Sequence, residues 1–515
     1  MKRVFVIAAL VWEAVCHQVP CPAEAPPNIV YILADDLGLG DVRSYTPQSP
    51  APTPNIDRIA VGGMRFTNAH SPSAVCTPTR YGILTGRYAW RTRLKAGVLQ
   101  PYEPRLIDPQ RATVAEMLHE QGYTTAAFGK WHLGMDWSTT DGHAPRRDGQ
   151  NVDHRHAFAG GPTDNGFETY FGDGAINFPP YAFMEDKRVQ GTMTGSFGGS
   201  GGNRVGPIAE GYAQVDSLPL VTNRAVQAIT DRAATGAPFF IYLALSAPHS
   251  PIVPPDFIPD VGTEYDRFIA TVDWSVGQIL DALEAQGVLH DTIVFFGSDN
   301  GADKAFATSD SITPGFVDGT PLRGQKGDIW EAGHRIPFIV QWSGGIPTSS
   351  TSNEYVELVD FFATAAAIAG YKWSPNVAED SYNLLPILTG RHLDEPLREA
   401  GVNHSHNGTF AIRQFDDAAN EWKLIFSDGS GGFTRPKGHC VDPNSSLRDW
   451  TQLQLYNLAT DPGEQNNLLE QSPSPQIVQR VRRMQALLQE YIASGRSFRD
   501  RAVVASGDGV IEARD

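Results

Sequence analysis

Cysteine is scarce in this chain, with four residues among 515. So few cysteines exclude a disulfide framework as the main source of stability, and the cysteines and histidines show no spacing typical of a zinc site. Basic residues are also outnumbered, because 41 lysines and arginines stand against 58 acidic residues, for a formal net charge of −17. An acidic protein repels anionic polymers at long range, so the composition predicts no nucleic-acid partner.

Long apolar runs are missing as well. The longest, Val4–Trp12, has nine residues and ends at Glu13, which is too short to cross a bilayer. Basic residues precede this run and the small residues Ala23 and Ala25 follow it, a pattern typical of a signal peptide over residues 1–25. The sequence therefore predicts a periplasmic or secreted protein without a membrane span.

Four apolar segments predict strands with polar residues at their ends. Each is a near-continuous run of the kind found in strands buried on both faces of a sheet. Ligands bind beyond the carboxyl ends of strands in open α/β sheets, so we expect these four ends to converge on one site. The runs are Ile29–Ala34, Thr124–Phe128, Phe239–Leu245 and Thr292–Phe296, and the polar residues after them include Asp35, Asp36, Lys130, His132, His249, Asp299 and Asn300.

Each of these residue types also has an ordinary interpretation. Carboxylate and amide oxygens are hard ligands of the kind that Ca²⁺ and Mg²⁺ require. A single aspartate at a strand end is nevertheless more often a solvated or capping residue. A single lysine is usually a surface charge, and a single histidine is more often structural than catalytic. Taken one residue at a time, the pattern leaves both interpretations open.

The segment from Cys76 to Arg87 carries the most informative motif of the chain. Its Cys-x-Pro-x-Arg, followed by Leu-Thr-Gly-Arg, closely resembles the formylglycine signature of type I sulfatases, a family of the alkaline phosphatase superfamily. Pro78 favours the first turn of a helix, so Cys76 should lie at a helix N-terminus, where free N–H groups favour an anion. In that family a formylglycine-generating enzyme converts the cysteine to an aldehyde, and the aldehyde hydrate is the nucleophile. The resemblance implies that Cys76 forms no disulfide with Cys440.

Three further segments, Gly129–Gly134, Ala247–Pro251 and Leu322–Pro337, resemble other sulfatase motifs. The family usually has a second glycine where this chain has Ala332. The resemblance implies one calcium ion bound by Asp35, Asp36, Cys76, Asp299 and Asn300. It implies catalytic roles for Cys76, Arg80, Lys130, His132, His249 and Lys326.

The implied mechanism divides the reaction among these residues. One hydroxyl of the hydrated aldehyde attacks sulfur, and the metal with Arg80 holds that hydroxyl in its deprotonated form. Lys130 and Lys326 stabilise charge on the sulfuryl oxygens. His249 protonates the departing alcohol, while His132 binds the second hydroxyl and helps to regenerate the aldehyde.

The implied function is calcium-dependent hydrolysis of sulfate esters, with a sulfated carbohydrate or a small sulfate ester as substrate. A phosphonate monoester or phosphodiester hydrolase with the same nucleophile is one alternative. A catalytically inactive, glycan-binding relative is another, although such a protein has no need to retain every ionic ligand. The identity of the sugar and the sulfate position stay open, because pocket specificity lies in loops.

The resemblance implies an α/β, alkaline-phosphatase-like fold with two parts. We predict a large, mostly parallel sheet between helices over residues 26–395. A smaller α+β C-terminal subdomain is predicted over residues 396–515. Within it, Trp422–Phe426 and Leu453–Leu458 read as antiparallel strands, and the apolar spacing from Ile477 to Tyr491 predicts a helix.

Two regions near the predicted pocket have open interpretations. The glycine-rich segment 184–218 predicts a long flexible loop, either a surface insertion or a substrate lid. Residues His404, Ser405, His406 and Arg413 would either contact substrate or lie in a solvated loop.

Overall fold

A computed structural model of the chain describes residues 26–304, 315–374, 376–417, 420–447 and 449–498. The predicted signal peptide, residues 1–25, lies outside these ranges. The strands are β1 (Asn28–Asp35), β2 (Gly63–Phe66), β3 (Ala69–His70), β4 (Thr124–Lys130), β5 (Thr169–Asp173), β6 (Met184–Glu185), β7 (Arg188–Val189), β8 (Met193–Phe197), β9 (Gly206–Ala209), β10 (Phe239–Pro248), β11 (Thr292–Ser298), β12 (Phe316–Val317), β13 (Thr320–Pro321), β14 (Phe338–Gln341), β15 (Ser350–Ser352), β16 (Val356–Glu357), β17 (Ala400–His404), β18 (Phe410–Asp417), β19 (Asn420–Ile425) and β20 (Gln454–Asn457). The helices are α1 (Pro54–Gly62), α2 (Cys76–Thr85), α3 (Val114–Glu120), α4 (Ser217–Ala233), α5 (Glu264–Ala285), α6 (Glu331–His334), α7 (Phe361–Ile368), α8 (Leu385–Leu388) and α9 (Pro475–Ser494).

A large central sheet forms the core of the molecule. Its strand order is β15-β2-β14-β11-β1-β10-β4-β5-β6-β7. The five strands from β11 to β5 run parallel to one another, while β14, β6 and β7 pair antiparallel with their neighbours. The four strands predicted from apolar runs are therefore adjacent, in the order β11-β1-β10-β4, with their carboxyl ends at the same edge.

Helices cover both faces of this sheet, which explains why the central strands are apolar on both sides. Val30 and Ile32 of β1 pack into a cluster with residues of α1, α4 and α5. The alternate residues Tyr31 and Leu33 face a second cluster, formed with α2, α3 and α7. The predicted fold class, a large mostly parallel sheet between helices, is confirmed.

The glycine-rich segment has more structure than a flexible loop. Strands β8 and β9 form an antiparallel hairpin inside it. The amide of Tyr181 donates a hydrogen bond of 2.9 Å to the carbonyl of Pro207, and the rings of Tyr181 and Phe197 meet at 4.8 Å between centroids. The prediction of one long loop over residues 184–218 is therefore wrong, because short strands pair within the segment. Its role, as a surface insertion or a substrate lid, stays a prediction.

The C-terminal part forms a separate antiparallel sheet of order β17-β18-β19-β20, with α9 packed against it. Val481, Met484, Leu488 and Tyr491 of α9 are buried in its apolar cluster. The predicted antiparallel strands and the predicted helix are confirmed. The boundary at residue 395 stays a prediction.

A buried ionic network joins this small sheet to the large domain. Glu331 of α6 pairs with Arg413 of β18 and, at 2.9 Å, with Lys423 of β19. Lys423 also contacts Glu464 at 2.8 Å, and Arg413 donates to Nε2 of His70 at 2.6 Å. Arg413 is fully buried, so the interpretation of this residue as a substrate contact or part of a solvated loop is wrong.

Among the described residues, no helix combines the length and the apolar composition needed to cross a membrane. The two cysteines in the described ranges, buried Cys76 and exposed Cys440, are both free thiols.

We expect Arg413→Met to lower the free energy of unfolding by about 3–5 kcal/mol, because it leaves a buried carboxylate without one of its cationic partners. Arg58→Met is the matched control, since Arg58 pairs with Asp281 on the surface and its side chain is 42% exposed. That change should cost less than about 1 kcal/mol. Thermal and urea unfolding of both variants provide the test, and equal shifts would contradict the assignment of Arg413 to a buried network.

Candidate active site

The carboxyl edge of the parallel strands gathers charged side chains at one place. Asp35 ends β1, Lys130 ends β4, and His249 follows β10 directly. Asp299 follows β11 and is fully buried. The structure thus brings together residues that are far apart in the chain, as the reasoning from strand ends expects.

The site consists of matched anions and cations. Lys130 Nζ lies 2.5 Å from Asp35 Oδ2, and Lys326 Nζ lies 2.6 Å from Asp36 Oδ2. Arg80 Nη2 lies 2.7 Å from Asp299 Oδ2. Three carboxylates therefore meet three cationic side chains, and the described cluster is close to neutral.

Arg80 holds its neighbours in place. Its Nε also donates to Asp299 Oδ2 at 3.0 Å, and its Nη1 donates to the carbonyl of Lys130 at 3.0 Å. The side chain is fully buried and its Nη2 lies 3.7 Å from Asp35 Oδ1. Its five donors are thus committed mainly to the protein, and its charge remains as its contribution to a ligand.

Burial and neighbouring charges give the three carboxyl groups different pKa values. Burial alone would raise the pKa of Asp35, but the charges of Lys130 and Arg80 hold it well below its usual range. Burial raises the pKa of Asp36, against the opposing charge of Lys326. Burial and, next, the charge of Asp35 raise the pKa of Asp299 to about 7. Further positive charge is needed before all three groups are stably ionised.

The same cluster leaves oxygen atoms without partners. Oδ1 of Asp35 and Oδ1 of Asn300 are buried and accept no hydrogen bond. Asn300 Nδ2 donates to Asp36 Oδ1 at 2.8 Å, which turns the amide oxygen away from that carboxylate. Ligand atoms of Asp35, Asp36, Cys76 and His249 all lie within 4.8 Å of one another. Unsatisfied hard oxygens beside crowded carboxylates fit a divalent cation such as Ca²⁺.

Cys76 is the first residue of α2, as the position of Pro78 predicts. It is 2% exposed, and burial raises the pKa of its thiol to about 12. An unmodified thiol here would be neutral and a poor nucleophile. The position itself suits an anion, because the helix N-terminus, Lys130 and Lys326 all present positive charge.

Hydrogen bonds set the tautomers of the two histidines. His132 Nε2 lies 3.1 Å from the carbonyl of Leu99, which only accepts, so Nε2 carries the proton and Nδ1 keeps a lone pair. That Nδ1 is buried without a partner. His249 has the opposite arrangement, because its Nδ1 donates to the carbonyl of Ser250 at 2.5 Å. Its Nε2 faces the site, 3.8 Å from Asp36 Oδ2.

Backbone strain marks the same region. Asp36, Tyr102 and His132 have φ of 69°, 62° and 54°, a region that residues other than glycine rarely adopt. An open cleft of about 400 Å³ lies beside His132 and is lined by Tyr102, Trp137 and Phe178. Strained residues persist where the surrounding structure holds them, often at functional sites. The side chains of Tyr102, Trp137 and Phe178 give this cleft an apolar wall next to the charged cluster.

Sequence reasoning missed one residue of this region, Asp173, and left the role of another, His406, open. Asp173 ends β5, the strand next to β4; it is fully buried, and burial raises its pKa to about 6. The rule applied to the other four strands would have found it. His406 was left open, and its amide donates to the carbonyl of Gly327 at 2.9 Å, one residue after Lys326.

A second cluster of potential metal ligands lies in the interface with the small sheet. His70, Glu331 and His334 bring one ligand atom each within 4.8 Å of one another. Lys423 Nζ is 2.9 Å from Glu331 Oε1 and 3.1 Å from His334 Nε2, so an ammonium already pairs with the carboxylate of this cluster and contacts one of its two histidines. We assign this cluster to the interface and not to a metal.

Comparison with known proteins gives a consistent result. The family model described as Sulfatase matches residues 27–371. N-acetylgalactosamine-6-O-sulfatase of Bacteroides thetaiotaomicron is 31% identical over 496 residues, with 87% of this chain and 90% of that protein covered. Arylsulfatase A of Bos taurus is 31% identical over 498 residues, covering 92% and 89%. A solved structure from work on the metabolism of multiple glycosaminoglycans by Bacteroides thetaiotaomicron aligns with a TM-score of 0.75 and 29% identity, covering 91% of this chain and 99% of the other.

Proposed function

The chain belongs to the sulfatase family and is a sulfuric ester hydrolase, and we propose that it removes sulfate groups from carbohydrates with calcium and a formylglycine at position 76. The observation that carries the proposal is the position of Cys76. It stands at the N-terminus of α2, within reach of the positive charges of Lys130 and Lys326 and near unpartnered carboxylate and amide oxygens. This arrangement suits an anion such as a sulfate ester.

Carbohydrate substrates are supported by the relatives and by the cleft. One relative named above acts on N-acetylgalactosamine 6-sulfate by its name, and the structure at 29% identity comes from glycosaminoglycan metabolism. The aromatic side chains beside His132 offer apolar surface to the face of a sugar ring. We propose a single sulfated sugar as the minimal substrate.

Asp35, Asp36, Asp299 and Asn300, with the modified residue 76, would hold the calcium ion. The ion would supply positive charge to the sulfate oxygens and to the nucleophile. A formylglycine hydrate would supply the attacking hydroxyl. The partner required for this modification is a formylglycine-generating enzyme.

The cationic side chains would bind and polarise the sulfuryl group. Lys130 and Lys326 each contact a carboxylate, so they can turn toward a bound sulfate without crossing the site. Charge that develops on the sulfuryl oxygens is stabilised best by donors already in place. Arg80 would act through its charge and through Asp299, because its donors are engaged.

The histidines would move protons. His132 can accept a hydrogen bond at Nδ1 from the hydroxyl that does not attack, and so help to reform the aldehyde. Burial lowers the pKa of His249 to about 3, so its ring is neutral in the empty site. A bound anionic sulfate favours the protonated ring, and His249 Nε2 would then donate to the leaving oxygen.

The proposal includes a periplasmic or secreted location, which rests on the pattern of residues 1–25. Its direct test is sulfate release from a panel of defined sulfated monosaccharides and disaccharides, beginning with N-acetylgalactosamine 6-sulfate. The enzyme used must have its modification verified. A phosphonate ester belongs in the same panel, because preferential hydrolysis of that ester would overturn the proposal.

The first prediction concerns the modification. Protein produced with a formylglycine-generating enzyme should show a loss of about 18 Da in the peptide containing Cys76. The peptide of Cys440 is the internal control and should be unchanged. Cys76→Ala should abolish turnover with little change in thermal stability. Full activity with an unmodified thiol at position 76 would contradict the proposed nucleophile.

The second prediction concerns the metal. Calcium should raise the midpoint of thermal unfolding of protein that has been freed of metal by chelation. The gain in the free energy of unfolding should reach about 2.7 kcal/mol at a calcium concentration one hundred times the dissociation constant. Asp299→Asn should lose this effect and the activity, while Asp281→Asn on the surface should keep both. Full turnover after exhaustive chelation, with no metal found by elemental analysis, would refute the assignment.

The third prediction separates acid catalysis from sulfate binding. His249→Ala should reduce kcat/KM for a sugar sulfate by about a hundred- to ten-thousand-fold, because an alkoxide is a poor leaving group. Its effect on a nitrophenyl sulfate should be much smaller. Lys326→Ala should impair both substrates comparably, since both share the sulfuryl group. Equal losses for His249→Ala on the two substrates would remove His249 from the acid role.

A further inference from the structure

The proposed calcium ligands lie on two loops that follow neighbouring strands. We call residues 35–38, at the end of β1, the first ligand loop and residues 299–301, after β11, the second ligand loop. The two strands run parallel, and their backbone ladder extends to the amide of Asp299, which donates to the carbonyl of Ala34 at 3.1 Å. Beyond this bond, side chains join the two loops.

Ser298, the last residue of β11, joins the two ligand loops through its hydroxyl group. The amide of Leu37 in the first ligand loop donates to Ser298 Oγ at 3.0 Å, and the same hydroxyl donates to the carbonyl of Asn300 in the second at 2.9 Å. A serine hydroxyl has one proton to donate and lone pairs that accept, so both bonds form at once. Ser298 is fully buried, so bulk water does not compete for either bond.

Both partners of this hydroxyl lie next to ligand side chains. Leu37 follows Asp36, whose φ of 69° turns the chain sharply after β1. The side chain of Asn300 donates through Nδ2 to Asp36 Oδ1 at 2.8 Å and to the carbonyl of Gly301 at 2.9 Å, and its Oδ1 has no partner. Fixing the backbone at Leu37 and Asn300 therefore fixes the direction of one carboxylate and of one amide oxygen.

A second connection between the loops uses a proposed ligand itself. The amide of Asp36 donates to Asp299 Oδ1 at 3.2 Å. A cation bound by Asp299 would draw on the same carboxylate and weaken this long hydrogen bond. Ser298 is not among the proposed ligands, so its two hydrogen bonds would be kept when an ion enters.

We propose that Ser298 is a positioning residue for the calcium ion, because its hydroxyl holds the two ligand loops at the separation that one ion requires. This inference rests on the proposed calcium site. Removing a group that orients metal ligands from behind costs about ten- to a hundredfold in metal affinity. Without the hydroxyl, the ion itself would have to order the two loops, and part of its binding free energy would be lost.

The fold does not depend on this hydroxyl alone. The first ligand loop is also held by Asp41, whose Oδ2 accepts from the amide of Gly38 at 2.7 Å and from the hydroxyl of Tyr265 on α5 at 3.0 Å. The strands below the loops are held by their own ladder. Ser298→Ala keeps these contacts, so we expect this variant to fold.

Calcium titration of metal-free protein tests the inference. The dissociation constant is measured from the heat of binding and, independently, from the midpoint of thermal unfolding at increasing calcium concentrations. For Ser298→Ala we expect a dissociation constant about ten- to a hundredfold higher than that of the wild type. At one calcium concentration far above both constants, a tenfold change removes about 1.4 kcal/mol of the stabilisation by calcium. Saturating calcium should restore most of the turnover, because the ligands are intact.

Two further variants separate positioning from general stability. Ser298→Thr keeps a hydroxyl and should retain most of the calcium affinity. Ser275→Ala is the matched control, because Ser275 on α5 is fully buried, accepts from Thr222 Oγ1 at 3.0 Å and donates to the carbonyl of Thr271 at 3.1 Å. This change removes the same group between two helices, so it should lower stability equally with and without calcium and leave the dissociation constant unchanged.

An unchanged dissociation constant in Ser298→Ala would overturn the inference, and so would equal losses of affinity in Ser298→Ala and Ser298→Thr. A loss of the same size in Ser275→Ala would also overturn it, since the effect would then be one of general stability. Failure of the proposed calcium site is seen separately, as an absence of calcium binding by the wild type, and would overturn both.

Discussion

The repulsion among three buried carboxylates is the constraint on which the rest of the site depends. Asp35, Asp36 and Asp299 could not remain ionised together in a dry interior without compensation. The protein supplies one cation for each, and this balance leaves a site that is nearly neutral before any ligand binds. A divalent cation would add positive charge beside these carboxylates. The ammonium groups of Lys130 and Lys326 would then be available to an incoming anion. Binding of such a cation and binding of a sulfate ester would therefore be coupled through electrostatics.

The sheet makes this crowding possible. Parallel strands end at the same edge, so β11, β1, β10 and β4 deliver their following residues to one small region. Helix α2 then points its N-terminus into that region, with Cys76 as its first residue. Positive φ at Asp36 and His132 lets the chain turn sharply just after β1 and β4. The stability of the regular core thus offsets the free-energy cost of the strained backbone at this edge of the sheet.

The sequence was informative where the signal is local. The apolar runs predicted the central strands, and Pro78 predicted the helix that begins at Cys76, because strand and helix patterns are written in neighbouring residues. Arg413 was misinterpreted because its role depends on register: β18 pairs with β19 so that Arg413 lies opposite Lys423, and both meet Glu331 from another domain. Spacing within the chain does not predict such a meeting. The hairpin of β8 and β9 was missed for a similar reason, since frequent glycines conceal strand pairing.

The long sequence separations within the site have a consequence for folding. Lys130 and Asp35 are 95 residues apart, Arg80 and Asp299 are 219 apart, and Lys326 and Asp36 are 290 apart. Contacts of such range form late, because loop closure must precede them. Until the last strand is in place, some of these charges have no partner and are kept solvated. An incomplete or misordered sheet would bury these charges without partners, at a large cost in free energy. The charged cluster therefore disfavours sheets with the wrong strand order during folding, in addition to its role in the folded enzyme.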